Sequence, residues 1–393
     1  MKGEAAFRAE VRDFLEQHAE PKDERDSPLS PMGGFRDDDE GLRAARVWQA
    51  LLADAGLAAA QWPVEHGGRG ATALESIALA EELAGYDVPG DVFRIGTAMI
   101  GPTLIAHATE AQKARYLRPM LRGEEIWCQL WSEPGAGSDL ASLSTTAVRD
   151  GDDFVLDGQK VWTSGAHYSA WGLGIFRTDP NAPKHEGISC LIVDMTTPGI
   201  TVRPLRQMTG AAHFNEVFFD GARVPVANLV GDLNDGWRVA RTMLMHERLA
   251  AGALDTSEAA FDALVAVARR AGRAGDPVVR QELARIHVAG RLTDLLSARV
   301  RAALRGGTIP GPEGSILKLA IADLITERAD LGFRLLGPAG ALLSGPDAPE
   351  GGRWADAVLG SFAMHIGGGT DEIQRNIVAE VVLGLPREPR PTA

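Results

Sequence analysis

Three stretches of this 393-residue chain hold side chains whose types and spacing could do chemistry. The first, Trp127-Cys128-Gln129-Leu130-Trp131-Ser132-Glu133-Pro134-Gly135-Ala136-Gly137-Ser138-Asp139, passes from indoles into a Gly/Ser turn. Indoles offer flat apolar surface, hydroxyls offer hydrogen bonds, and glycines let a ligand approach the backbone closely. The second, Val161-Trp162-Thr163-Ser164-Gly165-Ala166, sets an indole and two hydroxyls at the end of an expected strand. The third, Ile366-Gly367-Gly368-Gly369-Thr370-Asp371-Glu372-Ile373-Gln374-Arg375, is a glycine run opening a helix, where free N–H groups can receive an anion. Each also has an ordinary structural reading: a tight turn, core packing before a turn, a flexible helix entry. Cys128 and Cys190 make neither a disulfide framework nor a thiolate metal site of known spacing, and read as small buried side chains.

The elements that must position these stretches fall into three segments. Phe7, Val11, Phe14 and Leu15, then Leu42, Ala45, Trp48, Leu51 and Leu52, follow helical spacing, with a loop rich in Pro, Gly, Asp and Ser at Pro21 to Glu40 between them. Thr109 with Gln112 forms a capping box ahead of Tyr116, Leu117, Met120 and Leu121. Near Ile126 the pattern changes to short runs divided by turn dipeptides: Asp150-Gly151-Asp152, Phe154-Val155-Leu156, Asp157-Gly158, Lys160-Val161-Trp162. Further strands are expected at Leu173 to Phe176, Ile188 to Val193, Ile200 to Arg203 and Glu216 to Phe219, with Pro198-Gly199 and Asp220-Gly221 as turns. Helical spacing returns over Gly236 to Arg270, Pro277 to Leu304 and Gly314 to Leu336, with a last helix opening at Thr370 and a tail, Pro386 to Pro391, expected to be disordered. The order helical, β, helical predicts an α+β multidomain chain: an N-terminal all-α domain (1–124), a central antiparallel β domain (125–230) and a C-terminal four-helix bundle (231–393).

Composition narrows the function. Forty basic against 53 acidic residues leave a formal charge of -13, which provides no basic surface for a phosphate backbone, so nucleic acid is not an expected partner. No apolar run reaches the roughly 18 residues of a membrane span. The charged N-terminus lacks the apolar core of a secretory signal, and a cytoplasmic location is expected.

Taken together and in order, these motifs resemble the acyl-CoA dehydrogenase family of flavoproteins. The resemblance is carried by WSEPGAGSDLASL at 131–143, DGQKVWTSGA at 157–166, RQMTGAAHFNEVFFDGARVP at 206–225 and GGGTDEIQRNIVAE at 367–380. It implies the same three domains and an FAD held between the β domain and the C-terminal bundle, completed by a neighbouring subunit. It implies further that Gln129, Trp131 and Ser132 line the flavin, Ser132 standing where the family commonly has Thr. Trp162 would pack against the isoalloxazine, and Ser164, again in place of Thr, would bond near its reactive edge. Gly137 and Ser138 would lie by the flavin and the thioester end of the substrate, and Thr370 and Glu372 would touch the cofactor. The implied activity is that of an oxidoreductase on CH–CH donors in lipid metabolism, of the fatty acid β-oxidation kind. It is the α,β-dehydrogenation of an acyl-CoA to the trans-2-enoyl-CoA, with hydride passing to flavin N5 and electrons onward to an electron-transfer flavoprotein.

Such a reaction needs a base for the α-proton. Many members of the family have a Glu directly before the Gly-Thr of the last motif, and here that position is Gly368. Another branch places its Glu before an Arg on the first helix of the C-terminal domain, which matches Glu247-Arg248, with Arg248 facing substrate. At about 100° per residue, Gly236, Val239, Ala240, Met243, Leu244, Ala250, Ala251 and Leu254 project within roughly 80° of Glu247, while His246 and Arg248 flank the stripe. Burial on that stripe is expected to raise the carboxyl pKa, as suits a base for a weakly acidic C–H. The alternative is a structural Glu paired with an Arg. Asp371 and Glu372 are candidates too, although acids in a first helical turn usually complement its dipole. A homo- or hetero-oligomer, dimer or tetramer, is expected; the Phe-Gly with which many relatives grip a neighbour's FAD is missing from Arg269 to Pro277, which fits a heteromeric assembly of two related subunits. Two competing readings are a flavin-dependent monooxygenase or oxidase on the same fold, and a weakly active partner subunit.

Overall fold

The computed structural model describes residues 3–22, 29, 38–251, 258–305, 311 and 313–387. The chain opens with α1 (Glu4–His18), whose buried Phe7, Val11 and Leu15 recur every four residues, and a two-residue strand β1 (Glu20–Pro21). Helix α2 (Asp39–Asp54) starts where the Asp38 carboxylate accepts the Gly41 N–H at 2.7 Å. After α3 (Ala73–Leu83), β2 (Tyr86–Asp87) pairs with β1; α4 (Gly101–His107) and α5 (Glu110–Leu121) follow. The capping box of α5 forms as its sequence predicts: Thr109 Oγ1 accepts from Gln112 N and the Gln112 side chain accepts from Thr109 N.

An eight-stranded sheet comes next: β3 (Trp127–Leu130), β4 (Thr146–Asp150), β5 (Asp153–Ser164), β6 (Trp171–Arg177), β7 (Ile188–Asp194), β8 (Ile200–Leu205), β9 (Phe214–Pro225) and β10 (Leu229–Val230). The order is β10-β7-β6-β4-β5-β9-β8, with β3 laid on β6. Most pairs are antiparallel, as expected, but β3 runs parallel to β6 and β4 touches β6 in parallel at Thr146↔Arg177. Helices then return as α6 (Gly236–Ala251), α7 (Glu258–Arg270), α8 (Pro277–Arg305), α9 (Glu313–Leu335), α10 (Arg353–Ile366) and α11 (Asp371–Ile377). The result is an α+β chain with helices at both ends and a β centre.

Two expected turns are not turns. Asp157-Gly158 and Asp220-Gly221 lie inside the continuous strands β5 and β9, facing each other. Leu156 pairs with Ala222 and Asp157 with Asp220, so Gly221 is an extra residue on β9: a β-bulge at φ +63°, its N–H bonded to the Asp157 carboxylate at 2.9 Å. Helix α10 was not expected; its Trp354 is buried against Gly332 of α9, where any Cβ would meet the indole at 2.0 Å. The loop at Pro21 to Glu40, the middle of the helix expected over Gly236 to Arg270 and the tail from Pro386 lie partly outside the described residues.

The chain forms two compact units. One comprises Met1–Gly34, Ala73–Asp87 and Ala251–Ala393, cored by Leu264, Val267, Ile286, Leu324, Leu331 and Trp354. The other comprises Phe35–Thr72 and Val88–Ala250, where Leu130, Phe154, Leu156, Phe176 and Val217 fill one face of the sheet and Trp127, Trp131, Leu173, Ile175 and Ile192 share a second cluster with Val239, Ala240 and Met243 of α6. No helix among the described residues is long and apolar enough to cross a membrane.

Candidate active site

The most unusual backbone in the sheet is at Trp162. Lys160 pairs with Val217 and Thr163 with Asn215, so Val161 and Trp162 together oppose a single residue of β9. At this bulge Trp162 has φ +59°, a left-handed conformation that a bulky side chain adopts at a cost of about 1–3 kcal/mol. Its indole stands 60 % exposed, touching Phe214 edge to face at 5.9 Å. On the near side Val161 N donates to the Ser132 carbonyl at 2.8 Å, which lays the 131–133 segment beside the bulge. On the far side Asn215 Nδ2 donates to the Thr163 carbonyl at 3.0 Å, leaving Asn215 Oδ1 to accept from His167 Nδ1–H at 3.1 Å.

The two segments joined by the bond from Val161 N to Ser132 O, 129–132 and 162–164, carry several polar groups with no hydrogen-bond partner among the described residues. Trp131 is buried in the apolar cluster, and its Nε1–H has no acceptor among the described residues. The half-buried side chains of Gln129, Ser132 and Ser164 make no hydrogen bond among the described residues. Thr163 Oγ1, buried, is likewise without a partner. After Ser132 the chain turns through reciprocal bonds between Glu133 and Ala136 (Glu133 N to Ala136 O, 3.1 Å; Ala136 N to Glu133 O, 3.0 Å) and emerges with Gly137 and Ser138 exposed. The structure thus sets Ser132, which follows Trp131, beside the part of β5 that carries Trp162 and Ser164.

Sequence reasoning passed over the two charged residues beneath. Lys160 is 0 % and Glu133 5 % exposed, and Lys160 Nζ donates to Glu133 Oε1 at 2.8 Å and to the Trp131 carbonyl at 3.1 Å. Burial opposes ionisation of Glu133, but the Lys160 ammonium and the hydrogen bonds from Lys160, Thr145 and Ser144 hold the carboxyl down at about 2. Burial also pushes the Lys160 ammonium down, to about 8, against the pull of Glu133. The strand alternation held the clue: Lys160 falls at an inward position of β5.

Glu247 lies on α6, half-buried, and continues the buried row Gly236, Val239, Ala240, Met243 at the next helical turn. Its neighbour His246 has a pKa lowered by burial. Helix α6 is tied to α4 by His107, whose Nε2 lies 2.8 Å from Thr242 Oγ1. The side chains of Ala250 and Ala251, Leu254 of the expected stripe and the Arg248 side chain fall outside what the structure describes.

Thr370 and Glu372 belong to the other unit. Thr370 caps α11, its hydroxyl accepting from Ile373 N at 3.3 Å, so one of the N–H groups expected to face an anion is already satisfied. Glu372 is exposed, while Asp371 is buried between Lys318 at 2.8 Å and His365 at 2.7 Å. Gly368 has φ +64° with open space where a Cβ would stand.

The sequence matches three domain models of one family end to end: acyl-CoA dehydrogenase N-terminal domain over residues 2–124, middle domain over 128–222 and C-terminal domain over 234–383. The chain is 41 % identical over 385 residues to acyl-CoA dehydrogenase IpdE1 of Mycobacterium tuberculosis, covering 97 % of this chain and 98 % of that one. The chain belongs to the acyl-CoA dehydrogenase family. A bovine mitochondrial short-chain specific acyl-CoA dehydrogenase is 30 % identical over 383 residues, 95 % of this chain and 88 % of the relative. Among solved structures, the Tcur3481-Tcur3483 steroid ACAD matches with TM-score 0.80 at 32 % identity, covering 98 % of each chain. The ChsE4-ChsE5 complex from M. tuberculosis matches with TM-score 0.78 at 32 % identity, covering 99 % of each. As an acyl-CoA dehydrogenase the protein is an oxidoreductase, of a family whose members bind FAD.

Proposed function

We propose that this chain catalyses FAD-dependent α,β-dehydrogenation of an acyl-CoA thioester to the trans-2-enoyl-CoA, with Glu247 removing the α-proton. The observation that carries the reading is the bulge at Trp162, which spends backbone strain to turn a large indole out of the sheet beside Ser132. Strain of this kind persists where function requires it. The residues fit a flat, hydrogen-bonding cofactor: an exposed indole face, the orphaned Trp131 Nε1–H, and the unengaged side chains of Gln129, Ser132 and Ser164. FAD, when bound, supplies the acceptor for the hydride that leaves the β-carbon.

The chain's own residues have distinct tasks in this reading. Trp162 offers stacking surface; Trp131, Ser132, Ser164 and Gln129 offer hydrogen bonds; exposed Gly137 and Ser138 leave room for the cofactor and the thioester end of the substrate. Thr370 and Glu372 are assigned to the cofactor, and Arg248 to the substrate, on the family motifs alone. Glu247 receives the proton on a carboxylate oxygen, from a half-buried position one helical turn beyond the buried Met243. The segments 1–124, 125–230 and 231–393 act as helical, β and helical domains, and electrons leave to an electron-transfer flavoprotein.

A hetero-oligomer is favoured by one feature of the chain, the missing Phe-Gly between Arg269 and Pro277, and is in keeping with structural neighbours that are two-protein complexes. Because a steroid ACAD stands among those neighbours, steroid-derived thioesters belong in the substrate panel. The test is flavin content per chain, followed by anaerobic titration with straight, branched and steroid-derived acyl-CoA thioesters. Loss of flavin absorbance with at least one thioester is expected. A protein that binds no flavin, or one that no thioester reduces but that turns over a free small molecule with oxygen, overturns the proposal.

A further inference from the structure

The Glu133–Lys160 ion pair has no task in the dehydrogenation chemistry, yet it sits where strain has to be held. A buried pair of this kind is seldom kept for stability, since apolar side chains of similar volume fill such a site without desolvating two charges. What distinguishes this pair is the chain it ties together. Glu133 Oε2 accepts from Ser144 N at 2.7 Å and Ser144 Oγ at 2.9 Å, and Oε1 from Thr145 N at 3.0 Å and Lys160 Nζ at 2.8 Å. Lys160 also holds the Trp131 carbonyl at 3.1 Å. One carboxylate therefore joins the strand exit at 131–133, the entry to β4 and the middle of β5. Glu133 is the residue after Ser132, and Lys160 lies two residues before Trp162.

We propose that the Glu133–Lys160 pair is a positioning device, which straps the 131–133 segment to β5 and so fixes the left-handed bulge at Trp162 and the Ser132 hydroxyl in one geometry before the cofactor arrives. The proposal rests on the reading of Trp162 and Ser132 as flavin contacts. A non-glycine residue at φ +59° stays there only if its surroundings over-determine it. Beyond the bulge, Asn215 holds the Thr163 carbonyl and His213 O accepts from Gly165 N at 2.9 Å. Before the bulge, the bonds from Val161 N to Ser132 O and from Lys160 Nζ to Trp131 O do the same work. Of these two only the lysine bond reaches an anchor, Glu133, that is itself fixed to a third segment. The main-chain bond alone leaves the 131–133 segment free to tilt with β5.

The test uses the full chain labelled with 5-fluorotryptophan, the Trp162 resonance being the one absent from Trp162→Phe. The variant Glu133→Gln/Lys160→Met removes both charges at once, and its amide oxygen still accepts from the loop N–H groups. Expected are an unchanged melting temperature, a Trp162 fluorine resonance that broadens or splits, and an FAD dissociation constant raised roughly tenfold or more. An unmoved Trp162 resonance with native FAD affinity overturns the proposal, and so does a fall in melting temperature that leaves both unaltered, which marks a structural role only. Should the double variant not fold, Ser144→Ala, at an exposed position, decides in its place. It removes one bond to Glu133 and is expected to broaden or shift the Trp162 resonance relative to the native protein; an unaltered resonance overturns the strap. If the native protein binds no FAD, the flavin reading fails while the fluorine measurement still judges the strap.

Discussion

Lys160→Met, the single substitution, creates a fault that can be sized from the structure. In the native protein Glu133 is held down at about 2, below an ordinary 4.5, so the folded state prefers its charged form. Because its folded pKa is depressed, that stabilisation is fully present above about pH 4.5 and is lost as pH falls toward about 2. Removing the ammonium leaves the loop N–H bonds but deletes the nearest positive charge, so desolvation, the largest influence on Glu133, prevails and the folded pKa moves above the unfolded one. The sign of the linkage then reverses: the variant's defect is greatest at neutral pH and is relieved as pH falls through its raised pKa. Breaking one partner of a buried pair costs about 3–5 kcal/mol, which in a unit of roughly 200 residues lowers the transition by on the order of 10 °C. Urea denaturation of both proteins at about pH 7 and about pH 4.5 measures this, and the gap between them should narrow at the lower pH. A gap of the same size at both values, or none at neutral pH, refutes the reasoning.

Two further outcomes follow from the bulges. Trp162→Gly releases the left-handed strain of about 1–3 kcal/mol, offset by about 1 kcal/mol for glycine's greater freedom when unfolded, and gives up little burial because the indole is already 60 % exposed. Its melting temperature should match or exceed the native value while FAD binding weakens; native FAD affinity contradicts the assignment of Trp162 to the flavin. Gly221→Ala adds a methyl group that meets no atom within 4 Å, so its cost is purely conformational, about 1–2 kcal/mol from φ +63°. Denaturant midpoints measure it, and a neutral substitution contradicts a left-handed bulge in β9.

What could be read from the sequence was whatever is decided locally. The capping box at Thr109 and Gln112 needs only four residues and took the expected form, and the described start of the α6 stripe, Gly236, Val239, Ala240 and Met243, is buried as helical spacing alone predicts. The dipeptides Asp157-Gly158 and Asp220-Gly221 carry the composition of turns, but the same glycine that closes a hairpin also serves a bulge. Which it does depends on a partner strand some 60 residues away, as Asp157↔Asp220 shows. The special backbone of Trp162 was hidden for the same reason: the extra residue exists only relative to β9. Glu133 and Lys160 were passed over because neither is unusual alone, and 27 residues separate them. Strand β3 was missed because four residues in parallel pairing show no alternation: Trp127, Cys128 and Leu130 are buried and Gln129 is half-buried. Helix α10 depends on a tertiary fit, Trp354 against Gly332, that no local pattern announces. The candidate site was thus legible as a set of motifs, while the strained geometry that joins them came only from long-range pairing.

The central claim is that Glu247 takes the substrate's α-proton. Its most direct test is the rate of anaerobic flavin reduction by the best acyl-CoA, measured by rapid mixing for the native protein and for Glu247→Gln, with thioester binding measured in parallel. The account predicts that the variant binds FAD and thioester as the native protein does but reduces its flavin slower by about 10² to 10⁴-fold, the usual contribution of a positioned base. Reduction by Glu247→Gln at the native rate would contradict it.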